Sequence, residues 1–336
     1  MTGLYLSHPS GLDHLTGRGH PERPERLGAV EAALARRGWH GWERRAAPPA
    51  SEAALLGVHS AAHLAALREA SGAGGGLVGP ETPASAGSWT AALHAAGGAC
   101  AMAEALMAGE ARVGFCAVRP PGHHAHRDRT WGFCLVNSVA VAARHALDAL
   151  GAARVLVIDW DVHHGDGTAA IFRDSDRVLY ASIHQEGIFP GTGPLLDVGA
   201  GPGRGFTVNL PVPAGSGDET WLSLMEWIAV PVGEEFRPDL ILVSAGFDAH
   251  RDDPLAGCEL DADGFGEMAR MARALGERVG APMGAVLEGG YAPDALAASV
   301  VATMEGLSDD RPPASVAPDF LTSRAASHIG HHWSLA

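Results

Sequence analysis

The chain has 336 residues, 46% of them hydrophobic and 19% charged, and a formal net charge of -15. That is enough apolar material for a large core and too little charge for a disordered acidic chain. The acidity argues against a large phosphate-binding surface, no apolar stretch approaches the roughly 20 residues that cross a bilayer, and the start lacks a basic region and an apolar signal core.

The expectation is therefore a soluble, cytoplasmic protein with no nucleic-acid or membrane partner. A cationic small molecule or a basic peptide is compatible with the charge, and so is a homo-oligomer. The sequence contains no lysine, so acetylation of its own lysine side chains is excluded. Its four cysteines, Cys100, Cys116, Cys134 and Cys258, form no C-x-x-C pair and read as reduced thiols of a core.

In chain order, the run from Gly19 through His20, Pro21 and Glu22 to Leu27 reads as a loop entering a helix, with proline near the first turn. Apolar residues at helical spacing, or runs of alanine, predict helices over 25–38, 88–109, 137–150, 219–236 and 263–279. The last is capped by Asp261 or Asp263. Short apolar runs at 113–118, 155–158, 178–183, 240–243 and 283–287 predict strands. The alternation implies α/β architecture, a mostly parallel sheet with helices on both faces. Segments 71–87 and 187–205, rich in glycine and proline, read as loops. The tail after about Gly306 reads as an extended arm or a frayed end, with His328, His331 and His332 solvated. No linker divides the chain, so one domain is expected over 1–336.

The chemistry follows the predicted strands. Val155–Ile158 leads into Asp159-Trp160-Asp161-Val162-His163-His164-Gly165-Asp166-Gly167. Burying so many ionisable groups costs several kcal/mol each unless something pairs them. A divalent metal is the obvious partner, and Asp with His suits a catalytic zinc, iron or manganese better than a structural zinc. Residues two apart on an extended segment share a side, so Asp161 and His163 can hold one metal, and Asp248, after another strand, completes a three-ligand site. Asp159 lies deeper and orients a histidine or touches a second cation.

His123 and His124 follow Arg119-Pro120-Pro121-Gly122, and Asp159 and Asp166 remain to hold one imidazole each. Metal plus histidine suits hydrolysis by activated water. Tyr291, on a Gly-Gly turn, could donate to an oxyanion. Phe133 and Phe189 could line a narrow channel. In a parallel sheet, loops at the carboxyl ends of the strands gather on one edge, where ligands bind.

These residues resemble the zinc-dependent histone deacetylase family, which includes acetoin-utilisation proteins and acetylpolyamine amidohydrolases. The resemblance runs from His20-Pro21-Glu22 to beyond Tyr291. It rests on Arg-Pro-Pro-Gly-His-His-Ala, Gly-Phe-Cys-Leu-Val-Asn, Asp-Trp-Asp-Val-His-His-Gly-Asp-Gly, Phe-Pro-Gly-Thr-Gly, Ser-Ala-Gly-Phe-Asp and Glu-Gly-Gly-Tyr. Their wording is closer to the class II branch than to class I.

The resemblance implies an arginase/deacetylase fold with an eight-stranded parallel sheet, and hydrolysis of an N-acetylated amine such as acetyl-lysine. It implies one zinc on Asp161, His163 and Asp248, and His124 as base and acid with Asp166. His123 with Asp159 would be its partner, and Tyr291 would polarise the carbonyl. Gly132, Phe133 and Phe189 would form the acyl-lysine tunnel, with Arg26 near an acetate exit. It also implies potassium (K+) near the zinc, on Asp159, Asp161, His163, Ser182 and Ile183, and a second potassium at Phe172, Ser175, Val178 and Phe206. Leu255 stands where polyamine-selective relatives carry an acid, which weakens that alternative. Two more distant readings are a two-manganese arginase type, disfavoured by the order Asp-x-Asp-x-His with a lone Asp248, and a metal-bound module that reads acetylated amines without turning them over.

Overall fold

The computed structural model describes residues 3–335. Ten strands occur among them: β1 Leu4–Ser7, β2 Glu43–Ala46, β3 Gly75–Gly79, β4 Thr82–Ser85, β5 Val113–Ala117, β6 Val155–Asp159, β7 Val178–Gln185, β8 Thr207–Val212, β9 Leu240–Ala245 and β10 Met283–Leu287. Eight form a single sheet in the order β2-β1-β5-β10-β9-β6-β7-β8, with every pairing parallel.

The central strands are apolar on both faces because helices cover both. Leu156, Ile158, Ile241 and Val243 join one core, with residues of the helices Glu25–Arg36, Ala262–Val279 and Pro293–Ser308. Val155, Val157, Leu240 and Leu242 alternate into the other, against Ser88–Met107 and Ser138–Ala149. A period of two with both partners hydrophobic is what a sheet buried on both sides requires. No helix among the described residues is long and apolar enough to cross a membrane.

Registers set the position of the site. Asp159 pairs with Ser244 and Ser182, and Leu287 with Ala245, so the carboxyl ends of β6, β9 and β10 finish together. The strands bearing the histidine loop, the tyrosine loop, the Asp248 loop and the acid cluster are β5, β10, β9 and β6, four consecutive neighbours in the sheet.

Three expectations need correction. Segment 71–87 is not merely a loop, since it carries the antiparallel pair β3 and β4. The glycines of β3 hid it, because glycine and proline mark turns far more often than strands. The predicted helix 219–236 begins at Asp218 and widens to a π-helical stretch over Met225–Ala229 before Val230–Phe236 resumes. Pro231 in that last turn has no N–H to give to an ordinary helical bond, which favours a wider turn before it.

The tail is neither frayed nor wholly extended. After an irregular stretch it forms Phe320–Ile329, capped by the Asp319 side chain on the Thr322 N–H. His331 and His332 are exposed, as expected, and His328 is half-buried. Trp333 packs edge-on against Phe206 and Phe236, with centroids 5.4 and 6.2 Å away, and donates its indole N–H to the Gly205 carbonyl at 2.7 Å.

Trp333→Ala should therefore lower unfolding stability by about 2 kcal/mol, since it deletes aromatic packing and leaves a carbonyl without its donor. Urea denaturation tests this, and an unchanged midpoint would show that the tail adds nothing.

A second prediction concerns Asp218, whose carboxyl burial pushes up to about 6, with Asp261 beside it adding to the shift. The folded chain then holds a proton that the unfolded chain, near 3.9, gives up. This group's contribution to stability falls as pH rises from about 4 to 6 and stays reduced above. Asp218→Asn keeps the acceptor for the Asp261 N–H and should stabilise the fold at pH 8, by about 1 kcal/mol or less after solvent screening, but not at pH 4. Equal melting shifts at both pH values would contradict it.

Candidate metal and catalytic site

Asp161 and His163 lie in the bend that leaves β6, and Asp248 lies just beyond β9. One donor atom from each falls within 4.8 Å of the other two. Asp161 and Asp248 are buried, and His163 Nδ1 sits 3.2 Å from Asp161 Oδ1 and 3.0 Å from Asp248 Oδ2. Backbone N–H groups fix the remaining oxygens: Gly289 donates to Asp161 Oδ2 at 2.8 Å, and Val162 to Asp248 Oδ1 at 2.9 Å. Gly246 and Gly289 leave the room, because a Cβ at either would run into these carboxylates. Two buried carboxylates converging with one imidazole form a donor set that fits a divalent cation. Asp159, two residues before Asp161, turns elsewhere.

Asp159 Oδ2 meets His123 Nδ1 at 3.1 Å and accepts the Tyr180 hydroxyl at 2.9 Å. Asp166 Oδ1 meets His124 Nδ1 at 2.8 Å. The two imidazoles are 4.0 Å apart between centroids, yet their environments differ. Burial opposes charge on both. For His123 the carboxylates of Asp161 and Asp159 prevail and hold its pKa well above the ordinary value. For His124 burial and the adjacent His123 prevail over Asp166 and push it down to about 3. His124 is thus neutral, with Nδ1–H directed to a carboxylate and Nε2 free as a base.

Tyr291 follows β10, and its phenol is pushed well above its usual pKa by burial, so it keeps its proton as a donor. Its N–H donates to Asp253 Oδ2 at 2.6 Å. Its ring lies 4.9 Å from the Arg26 guanidinium carbon. Arg26 donates to the Gly290 carbonyl at 2.6 Å and to that of Glu288, so it clamps the Glu-Gly-Gly-Tyr turn from beneath.

Phe133 packs edge-on to Tyr291 at 5.8 Å, and Phe189 edge-on to His124 at 4.9 Å. Gly132 and Phe133 both adopt positive φ, 50° and 66°. A side chain on Gly132 would collide with His124 and Phe189. Phe189 and Leu255 are 39% and 37% exposed, so both lie at the surface rather than in the core.

The residues expected near potassium divide. In the loop after β6, Val162 and His164 carbonyls accept from Gln185 and Asp166 N–H groups. The carbonyls of Asp161 and His163 alternate with these along the chain. At the second place, the Phe172 and Phe206 carbonyls accept from the Ser175 and Tyr180 N–H groups.

Several buried groups had no role assigned from the sequence, although Glu288 and Cys134 stand inside its motifs. Glu288 Oε2 accepts from the Gly122 and His123 N–H groups at 2.5 and 3.1 Å, tying the histidine turn to β10. His123, Cys134 and Glu288 also lie close enough to share an ion. Burial raises the Cys134 thiol far above its usual pKa, however, and a protonated thiol is a poor ligand. Asp166 also receives His126, whose Nε2 lies 2.8 Å from Oδ2. The one hint of it in the sequence was a third histidine two positions after the pair.

Glu22 is fully buried between Arg26, at 3.1 Å, and Arg119, at 2.5 and 2.8 Å. Its motif neighbours marked it, but nothing in a sequence reveals which two arginines close on one acid. Glu22→Gln should destabilise the fold by about 3 kcal/mol, because it leaves two buried guanidinium groups without their anion. A loss below about 1 kcal/mol in urea denaturation would show that the cluster is not held by charge.

The fold agrees with comparisons to known proteins. A sequence profile described as "Histone deacetylase domain" matches residues 20–307. The chain is 42% identical to a histone deacetylase-like amidohydrolase of Pseudomonas aeruginosa over 87% of this chain and 78% of that one. It is 38% identical to a probable deacetylase of Archaeoglobus fulgidus over 98% and 94% of the two chains. The crystal structure of the HDA15 HD domain superposes with a TM-score of 0.92 at 36% identity, covering 99% of this chain and 96% of that one. The fold is the arginase/deacetylase fold, with its eight-stranded parallel sheet, and the chain belongs to the histone deacetylase family of deacetylases and amidohydrolases.

Proposed function

We propose that the chain is a zinc-dependent deacetylase that hydrolyses the acetamide of N-acetylated amines, acetyl-lysine of peptides or proteins foremost, to acetate and the free amine. The observation that carries this reading is the convergence of Asp161, His163 and Asp248 within 4.8 Å beside the His124 imidazole, which Asp166 holds through Nδ1. Zinc held by those three residues would supply Lewis-acid polarisation of the carbonyl and acidify water.

The side chains account for the proton transfers. His124 Nε2 takes a proton from water as its oxygen attacks the acetyl carbon, and Asp166 stabilises the imidazolium through Nδ1. The Tyr291 phenol donates to the developing oxyanion. His124 then returns its proton to the amine nitrogen as the C–N bond breaks. His123, hydrogen-bonded to Asp159, stands beside His124 at the same centre. Gly132, Phe133 and Phe189 would line the tunnel for the aliphatic stem of acetyl-lysine. Leu255 at the surface, in place of an acid, favours a peptide over a polyamine. Potassium at Asp159, Asp161, His163, Ser182 and Ile183 would offset the concentration of acid behind the zinc. The acidic overall charge suits a basic substrate segment.

A turnover panel tests the reading. Acetyl-lysine peptides, acetylated polyamines and longer acyl-lysines are compared, with bound metal quantified. Acetyl-lysine should be hydrolysed fastest, with one zinc per chain. Tyr291→Phe should lower kcat about 10²–10³-fold while retaining zinc. Asp161→Ala should lose both zinc and activity. Full activity in both variants would refute the assignment, and faster turnover of acetylated polyamines would move the substrate to the small amines.

A further inference from the structure

We propose that His126 is a positioning residue that holds the Asp166 carboxylate in register with His124. The inference rests on the reading of His124 as the proton carrier, and it concerns a residue outside the motifs that suggested that reading. Asp166 opens the helix Asp166–Phe172. Its two oxygens are divided: Oδ1 takes His124 Nδ1 and Oδ2 takes His126 Nε2, each at 2.8 Å. A carboxylate gripped through one oxygen can swing about its last torsion. Gripped through both, it presents a fixed acceptor to His124, and the tautomer of a base depends on that acceptor.

His126 is itself held in place. Its N–H donates to the Arg129 carbonyl at 3.0 Å. Its carbonyl lies 2.9 Å from Nδ1 of the buried His59. His59 Nε2 accepts from the Asn137 N–H, so its Nδ1 carries the proton and donates to His126. Asn137 in turn caps the helix Ser138–Ala149. A chain of hydrogen bonds therefore links a core helix cap to the carboxylate behind the base. The Arg129 guanidinium lies 3.0 Å from His126 Nε2 and 3.8 Å from Asp166 Oδ2. Because Nε2–H is directed at Asp166, Arg129 acts there as a nearby positive charge rather than as a donor to the ring. The His126 side chain is 20% exposed, so it is replaceable without opening the core.

The test uses the full chain loaded with zinc. His126→Ala should lower kcat about tenfold on an acetyl-lysine peptide, with KM, zinc content and melting temperature unchanged. His126→Gln, whose amide nitrogen reaches the place of Nε2, should recover most of that loss. In an Asp166→Ala background, His126→Ala should cause no further fall. A readout independent of turnover is the downfield proton of His124 Nδ1 in the NMR spectrum, assigned by its disappearance in His124→Gln. It should stay sharp in the unmodified chain and in His126→Gln, and broaden or vanish in His126→Ala.

Unchanged kcat and an unchanged resonance in His126→Ala would overturn the proposal. So would a tenfold fall that persists without Asp166. If His124→Ala turned over substrate as fast as the unmodified chain, the base assignment would fail instead, and the resonance alone would decide whether His126 sets the carboxylate.

Discussion

Charge buried at one sheet edge is the constraint around which this molecule is arranged. Asp161 and Asp248 lie close together, out of water, with His163 between them. Such a pair is costly in a medium that screens poorly, and it persists only where donors are fixed around it. The Gly289 and Val162 N–H groups each hold one oxygen, and Asp159 is steadied by His123 and Tyr180. The same principle extends outward, where Glu22 balances Arg26 and Arg119 beneath the tyrosine turn. A divalent cation fits this arrangement because it would neutralise what the protein leaves uncompensated.

The scaffold makes that concentration possible. Parallel strands buried on both faces present all their carboxyl ends on one edge, and β5, β10, β9 and β6 stand side by side. The loops that follow them bring, in turn, a histidine pair, a tyrosine, one acid, and an acid–histidine run. The histidines illustrate how environment separates like groups. His123 faces two carboxylates and His124 faces His123, so the pKa of one is pushed up and that of the other down at 4.0 Å separation.

Much of this was legible in the residues. The strands with continuous aliphatic runs, β5, β6, β7, β9 and β10, stand within a few residues of their predicted bounds, because burial on both faces leaves an unmistakable composition. The edge strand β2 gave no such signal, since it is largely exposed and carries Glu43, Arg44 and Arg45. The glycine-rich hairpin and the terminal helix were missed because their stability comes from packing rather than from local preference, as Trp333 against Phe206 shows.

The sequence by itself determined which side chains stand at strand ends, because strand composition and the two-residue period of an extended chain are local properties. It thereby determined the chemistry available: acids, imidazoles and a phenol beside buried apolar runs. Only the tertiary structure decided which of them meet. Strand order placed Asp248 against Asp161 across 87 residues of chain, counted from the numbering. It paired Asp159 with His123 and Asp166 with both His124 and His126, and it closed Arg26 under Tyr291. Those contacts are non-local, and their physical basis is the balance of buried charge, which no stretch of sequence contains until the sheet has brought its edges together.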